Sequence, residues 1–288
     1  MTQVIVNGLY LGAQYALIAL GLTLIFALMN VLNFAHGQMY VLGGFVTYTV
    51  YGQLKLPFGV ALLASGVTLA VVGAVFERFL FRTVIRRSLR EESTMLLAAA
   101  TATLLDAVIL LLFGEKQRGV PKIVNGVLNT DWLIMPYDKI FVGVLAILGI
   151  AAFMAFMQFS KPGRAMRALA QDRVAAQLMG VEVDRYTMIG FAMGAMLAGV
   201  VGGLLVAATG VNSGIGGPIS IKAFTMVMIG GAGVVGGAIV GGFILGMMES
   251  VGLSVLHAYG DATYLVIFVA LMIFLSIRPN GLMGKPWG

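Results

Sequence analysis

Long apolar runs separated by short polar segments fill the chain, at about 4–28, 37–53, 57–79, 93–113, 139–159, 186–209, 218–233, 236–256 and 262–277. A helix crossing the hydrocarbon core needs roughly 20 predominantly apolar residues, so these runs predict membrane spans. None alternates apolar and polar positions over about ten residues, as the strands of an outer-membrane barrel do. The expected fold is an all-α polytopic membrane protein with eight or nine transmembrane helices. The count turns on residues 29–37, where Asn30, Asn33, His36 and Gly37 interrupt one long apolar stretch. Read as a full turn, the interruption gives nine spans and an external N-terminus; read as a broken helix, it gives eight. The run after Pro218 is short for a span, and the glycine-rich stretch ahead of it, with Asn212 and Ser213, reads as an external loop or as a gate element dipping into the membrane.

Composition removes whole classes of function. Of 288 residues, 60% are hydrophobic and 10% charged, with a mean hydropathy of +0.99; a soluble domain carries about a quarter charged residues. The spans consume the chain and leave no room for a soluble catalytic domain, so 1–288 reads as a single transmembrane domain. The 39 glycines suit helices meeting in lipid, where small residues let backbones approach closely. Gly8, Gly12 and Ala16 recur four apart, as do Gly190, Gly194, Ala198 and Gly202, and Gly233, Gly237 and Gly241. Each set predicts a packing seam. With no cysteine, disulfides and thiolate ligands are excluded. The 18 methionines are scattered and only two histidines accompany them, so no metal site is expected.

Charge placement sets the orientation. The segment 77–92 holds Arg78, Arg82, Arg86, Arg87 and Arg90, and the segment 161–185 holds Lys161, Arg164, Arg167, Arg173 and Arg185. Basic loops stay in the cytoplasm, and the tail with Arg278 and Lys285 returns there. The loop 114–138 mixes both signs, Asp131 and Asp138 included, and its Pro121, Asn125-Gly126 and Pro136 signal turns on the opposite face. The net charge of +6 therefore reports topology, and no nucleic-acid partner is expected. Met1-Thr2-Gln3 lacks a basic n-region, so the first run is expected to remain as a span.

Polar residues within the runs are the candidate chemistry. Asn33, His36 and Gln38 sit at the first interruption and either line a pathway or gate, or cap helix ends at the membrane surface. A second interruption lies at Gly230-Gly231 to Gly236-Gly237, and paired interruptions point to a transporter's pathway, although the halves show no sequence repeat. Asp106 lies inside a span without a basic residue, where a carboxylate is expensive and faces a cavity or a partner. Glu249 and His257 admit the same two readings, pathway residue or interior tie. No serine or aspartyl intramembrane protease constellation is present. A phosphate loop requires Gly, four residues, then Gly-Lys; ahead of Gly284-Lys285 that position is Pro279. The chain is not expected to be an enzyme, and energy for active transport has to come from elsewhere.

The segment Gly163-Arg164 to Gly180 reads as two short helices. Asp172 can N-cap a helix ending near Met179, with Gly180 in the left-handed position beyond it. Val174, Ala175 and Leu178 fall on one face. Such a short helix does not persist alone, so it packs on its own bundle or on a partner.

Val174-Ala175-Ala176 followed by Gly180 resembles the Glu-Ala-Ala, three residues, Gly pattern of ABC-importer permeases, with Val174 in place of the glutamate. Asn33-Phe34-Ala35-His36-Gly37-Gln38-Met39-Tyr40, Gly163-Arg164 to Gly180, Lys222-Ala223-Phe224-Thr225 through Gly241-Gly242, and Arg278-Pro279-Asn280-Gly281-Leu282 follow in the order seen in LivH-type permease subunits of branched-chain amino-acid ABC importers. The resemblance covers essentially the whole chain. It implies half of a translocation pathway in the bacterial cytoplasmic (inner) membrane, for branched-chain amino acids or a related small molecule. It also implies a second, LivM-like permease, two cytoplasmic ATPase subunits carrying ATP and Mg2+, and an extracytoplasmic substrate-binding protein, with no cofactor bound by this chain. Under it, Gly163, Arg164, Arg167, Asp172, Ala175, Ala176, Leu178 and Gly180 form the ATPase-coupling segment. Asn33, His36, Gln38, Asp106, Asn212, Ser213 and Glu249 remain the candidates for the pathway or gate. The alternative is a secondary transporter or channel for a small solute, which leaves the structured basic segment unexplained.

Overall fold

A computed structural model describes residues 1–87, 92–130, 132–255 and 260–284, with backbone alone at 260–264. Arg90, Asp131, His257 and Lys285 lie outside the described residues. Helix α1 (Thr2–Met29) is followed by an irregular stretch 30–35, by α2 (His36–Thr47) with a π-turn Tyr48–Gln53, and by α3 (Phe58–Phe76), which continues through a π-turn Glu77–Phe81 into α4 (Arg82–Arg87). Then come α5 (Glu92–Phe113), the strands β1 (Val127–Thr130) and β2 (Leu133–Pro136), α6 (Tyr137–Phe159), α7 (Lys161–Gln171), α8 (Arg173–Leu178) and α9 (Val183–Thr209). After a 3-10 turn Ser213–Ile215 the chain ends in α10 (Gly216–Gly230), α11 (Val235–Val255) and α12 (Gly260–Ile277). Six helices among the described residues are long and apolar enough to span a membrane. The runs at 37–53 and 218–233 are the two short passes.

The two ends of the bundle sort by contact. Gln3 exchanges hydrogen bonds with the backbone of Ile134 (2.9 and 3.1 Å), and Arg118 pairs with Val211 (2.8 and 2.7 Å). The N-terminus, the hairpin and the end of α9 therefore share one end. That end also holds Asp138, whose carboxylate accepts from the Ile123 and Val124 amides and folds the loop back. At the other end Arg82 meets Asp184, and the tail bonds to the end of α10 (Leu282 N to Ile229 O, 2.9 Å). The arginines gather at this second end, which is the cytoplasmic one by the distribution of basic residues.

Residues 29–37 form neither a surface turn nor a simple break. Asn30 caps α1 in the left-handed conformation (φ 53°). The chain then climbs back beside α1 until the His36 ring reaches the Ile18 carbonyl at 3.1 Å. Ile18 lies eleven residues before Met29, about 16 Å at the standard rise, so α2 begins deep inside the bundle and runs outward. Residues 210–215 do the reverse. They enter from the external end, and α10 starts at the same depth and runs to the cytoplasmic end. Counting these two passes and α12, whose apolar part Leu265–Ile277 is shorter than the six, the chain makes nine among the described residues, with its N-terminus outside, as the full-turn reading has it.

This arrangement is an inverted repeat that the residues alone do not announce. α1, α2 and α3 run out-to-in, middle-to-out and out-to-in, whereas α9, α10 and α11 run in-to-out, middle-to-in and in-to-out. α1 packs most extensively on α11, and α3 on α9, so equivalent pairs meet. Small residues make the contacts possible. A Cβ on Gly21 would sit 2.7 Å from the Gly194 carbonyl and one on Gly194 2.7 Å from that of Gly21, so α1 and α9 cross backbone to backbone. The seams at Gly8, Gly12, Gly202, Gly237 and Gly241 are likewise filled by a neighbouring helix. Gly233 departs from its predicted stripe: it lies ahead of α11 in a turn at φ 80°.

Candidate functional site

The inner ends of the two short helices meet. The Ser220 hydroxyl accepts from the Gly37 amide (3.0 Å) and donates to the Phe34 carbonyl (2.9 Å), so one side chain of α10 serves two backbone groups of the 30–37 segment. A Cβ on Gly37 would collide with the Gly216 carbonyl. Asn33 and His36 are fully buried here, not at the membrane surface. Asn33 Oδ1 accepts from Ala35 N (3.1 Å) and closes the turn into α2. The His36 ring packs against Gly21, and its Nδ1 has no hydrogen-bond partner.

Gln38 and Asp106 are brought together. Gln38 Nε2 donates to Asp106 Oδ1 at 3.1 Å, and the rest of the amide lies against Gly216, the first residue of α10. Two turns further out, Phe45 stacks on Phe113 at 4.2 Å, so α2 and α5 run parallel in register. Asn212 and Ser213 stand on the inbound stretch just before α10; Ser213 is buried and Asn212 partly so. Gly214, Gly217, Pro218 and Ile221 are exposed along the same edge.

Glu249 stands apart from that junction. It is buried against Lys222 Nζ (2.8 and 3.1 Å), and Tyr15 donates to it at 2.5 Å while accepting from Lys222 at 2.8 Å. The trio ties α1, α10 and α11 within the apolar bundle. Lys222 and Tyr15 are not among the sequence candidates, although Lys222 is the one basic residue between Arg185 and Arg278, which is the signal that marks it.

At the cytoplasmic end the helix capping agrees with the sequence. Ser160 caps α7 through the Gly163 amide (2.9 Å), and Asp172 Oδ1 caps α8 through the Val174 and Ala175 amides (2.8 and 2.9 Å). Gly180 takes φ 86°, and a Cβ on Gly163 would strike the last turn of α6. Arg164 and Arg167 donate to the Phe159 and Gln158 carbonyls and so cap α6. The faces of α8 differ from a uniform docking helix. Ala176 is turned inward, 5% exposed, whereas Val174, Leu178 and Met179 are 69%, 83% and 85% exposed. Ala176 belongs to the anchor and Leu178 to the free surface. Next to this segment the buried Glu77 holds Arg82 in a bidentate pair (3.1 and 2.6 Å), and Arg82 and Arg86 both reach Asp184 at the start of α9. A cleft of about 950 Å³ opens at this end between Asn30, Arg167, Gln171 and Gly233.

Two oppositely directed half-helices beside a capped cytoplasmic segment are the parts of a permease. The profile of the family described as "Branched-chain amino acid transport system / permease component" matches residues 4–276. The chain belongs to this family. It is 32% identical to the high-affinity branched-chain amino acid transport system permease protein LivH of Escherichia coli, over 99% of this chain and 96% of that protein. It is 31% identical to the corresponding protein BraD of Pseudomonas aeruginosa over the same shares. PsaBC from Streptococcus pneumoniae, solved with a Fab, has the same fold at TM-score 0.51 and 16% identity, covering 95% of this chain and 91% of that one. The permease is a multi-pass protein of the inner membrane and the membrane-spanning subunit of an ATP-driven ABC importer, working with other transporter subunits.

Proposed function

We propose that this permease forms half of a translocation pathway for branched-chain amino acids or a closely related small molecule, and that the pathway passes the junction of α2 and α10. The observation that carries the reading is the exposed start of α10 at Gly217, Pro218 and Ile221, at the depth where α2 also begins. Irregular backbone at membrane depth is tolerated only against protein or a water-filled cavity. A second, LivM-like permease covers this edge and encloses the path. Asn33 and His36 shape the turn into α2, while Gln38, Asp106, Asn212 and Ser213 face the route.

Transport proceeds by alternating access. Two cytoplasmic ATPase subunits, carrying ATP and Mg2+, grip the exposed side of α8 at Val174, Ala175, Leu178 and Met179. Ala176, Gly163, Arg164 and Arg167 hold the segment to the bundle, so closure of the ATPases moves α7 and α8 with α6 and α9. An extracytoplasmic binding protein supplies substrate at the hairpin end. The chain itself binds no cofactor and has no nucleotide site. Reconstitution of the complete transporter tests this: L-leucine uptake should require both ATP and the binding protein. Uptake by this chain alone would favour the secondary-transporter reading.

A further inference from the structure

Among the described residues, the junction contains one acceptor without a donor and one carboxylate without an ion-pair partner. Asp106 is half-buried in α5 and forms no ion pair among the described residues. A carboxylate at this depth requires a counter-charge, a proton or water. Gln38 is 7% exposed and donates its Nε2–H to Asp106, which leaves its Oε1 without a hydrogen-bond partner. That Oε1 lies against Gly216, where α10 starts with no side-chain cap. α2 differs: its Gly37 amide is taken by Ser220.

An acceptor without a donor, Gln38 Oε1, and a carboxylate without an ion-pair partner, Asp106, therefore adjoin a helix start that has no side-chain cap. The acceptors call for a cationic donor. The first turn of α10, at the positive end of the helix dipole and without a side-chain cap, calls for an anion. Both demands are met by one zwitterion. Asp106 and Gly216 both lie against the same Gln38 amide, a proximity that the adjacent charges of an α-amino acid fit and the distant charges of an ω-amino acid overshoot.

We infer that Gln38, Asp106 and the first turn of α10 form a transit site for the α-ammonium and α-carboxylate groups of a free amino acid. Asp106 and Gln38 Oε1 accept from the ammonium, and the α10 start donates to the carboxylate. The inference rests on the reading that this junction lines the pathway, and it adds the part of the substrate that is recognised there: the charged end common to all α-amino acids. Selection among side chains is left to the binding protein.

This chain has no cysteine, so an introduced thiol is the one site at which it is modified, and the label is read on this chain. A Cβ on Gly217 meets nothing within 4 Å, so Gly217→Cys is sterically tolerated, and a thiol at a helix start is reactive. The variant is made in the assembled transporter and treated with a charged, water-soluble thiosulfonate. Millimolar L-leucine should slow modification by about tenfold, the effect of filling nine-tenths of the sites. 3-Methylbutylamine, 4-methylpentanoate and 6-aminohexanoate should not. Adding Asp106→Asn should abolish protection by leucine, while the doubly substituted transporter assembles and melts like Gly217→Cys alone, which shows that the fold is retained. A cysteine that never reacts overturns the pathway reading itself. A cysteine that reacts but is unprotected by leucine, is protected equally by the amine, or stays protected in Asp106→Asn leaves the pathway standing and overturns the zwitterion site.

Discussion

The Gly37 amide and the Ser220 hydroxyl, 183 residues apart in the chain, meet at 3.0 Å and join two helices that start in the middle of the bundle and leave it in opposite directions. Each helix start is a place where backbone groups lose their partners, and at this junction a side chain of α10 serves the start of α2.

Removing the Ser220 hydroxyl leaves the Gly37 N–H and the Phe34 C=O unmatched in a buried site, at about 1–3 kcal/mol each. Ser220→Ala is therefore expected to lower the thermal unfolding midpoint of the purified transporter and to reduce uptake. Ser220→Thr, which keeps the oxygen, should lose much less, and comparison of the two melting curves checks the assignment.

The Lys222–Glu249 pair makes a different prediction. Breaking a buried pair from one side costs about 3–5 kcal/mol, because an uncompensated charge remains. Glu249→Gln or Lys222→Met alone should strongly reduce the amount of folded protein in the membrane. Lys222→Met combined with Glu249→Leu should recover a large part of it, since apolar replacement of a whole pair is often nearly neutral. Failure of the double variant to exceed either single one would show that the charges, beyond their pairing, are required.

The two faces of α8 separate docking from anchoring. Leu178→Asp changes an exposed residue and should abolish co-purification of the ATPase subunits and uptake, with normal membrane insertion. Ala176→Asp buries a carboxylate in the contact of α8 with the bundle and should lower the stability of the permease even in the absence of ATPases. Equal thermal stability of the Ala176→Asp and wild-type permeases would contradict the inward placement.

Much of this fold is legible along the chain because span length and basic loops are local properties. The capping of α8 by Asp172 and the left-handed Gly180 are legible for the same reason, as each involves residues within one turn. The hairpin 127–136 is readable only as turn signals, since its four-residue strands are too short for an alternating pattern. The Glu249 partner is not legible, because Lys222 lies 27 residues away and comes near only when α10 and α11 fold back on each other. The depth of His36 likewise depends on a long-range contact with Ile18. Ala176 reads as a docking residue along the chain because a six-residue helix has too few positions to reveal which side is anchored, and its free side is apolar as well.

If the start of α10 lines a route that opens and closes with nucleotide, a thiol placed just ahead of it reports the change directly. Gly214 is exposed on the inbound stretch, and a Cβ added there would meet only Asn212, at 3.7 Å, so Gly214→Cys is the probe. The measurement is its modification by a membrane-impermeant thiosulfonate applied from outside, with and without ATP held in the closed ATPase dimer. The predicted result is a reactive thiol whose rate changes by about tenfold or more between the two states, a shift of about 1.4 kcal/mol in accessibility. A thiol unreactive in both states, or equally reactive in both, would contradict a nucleotide-gated route at this junction.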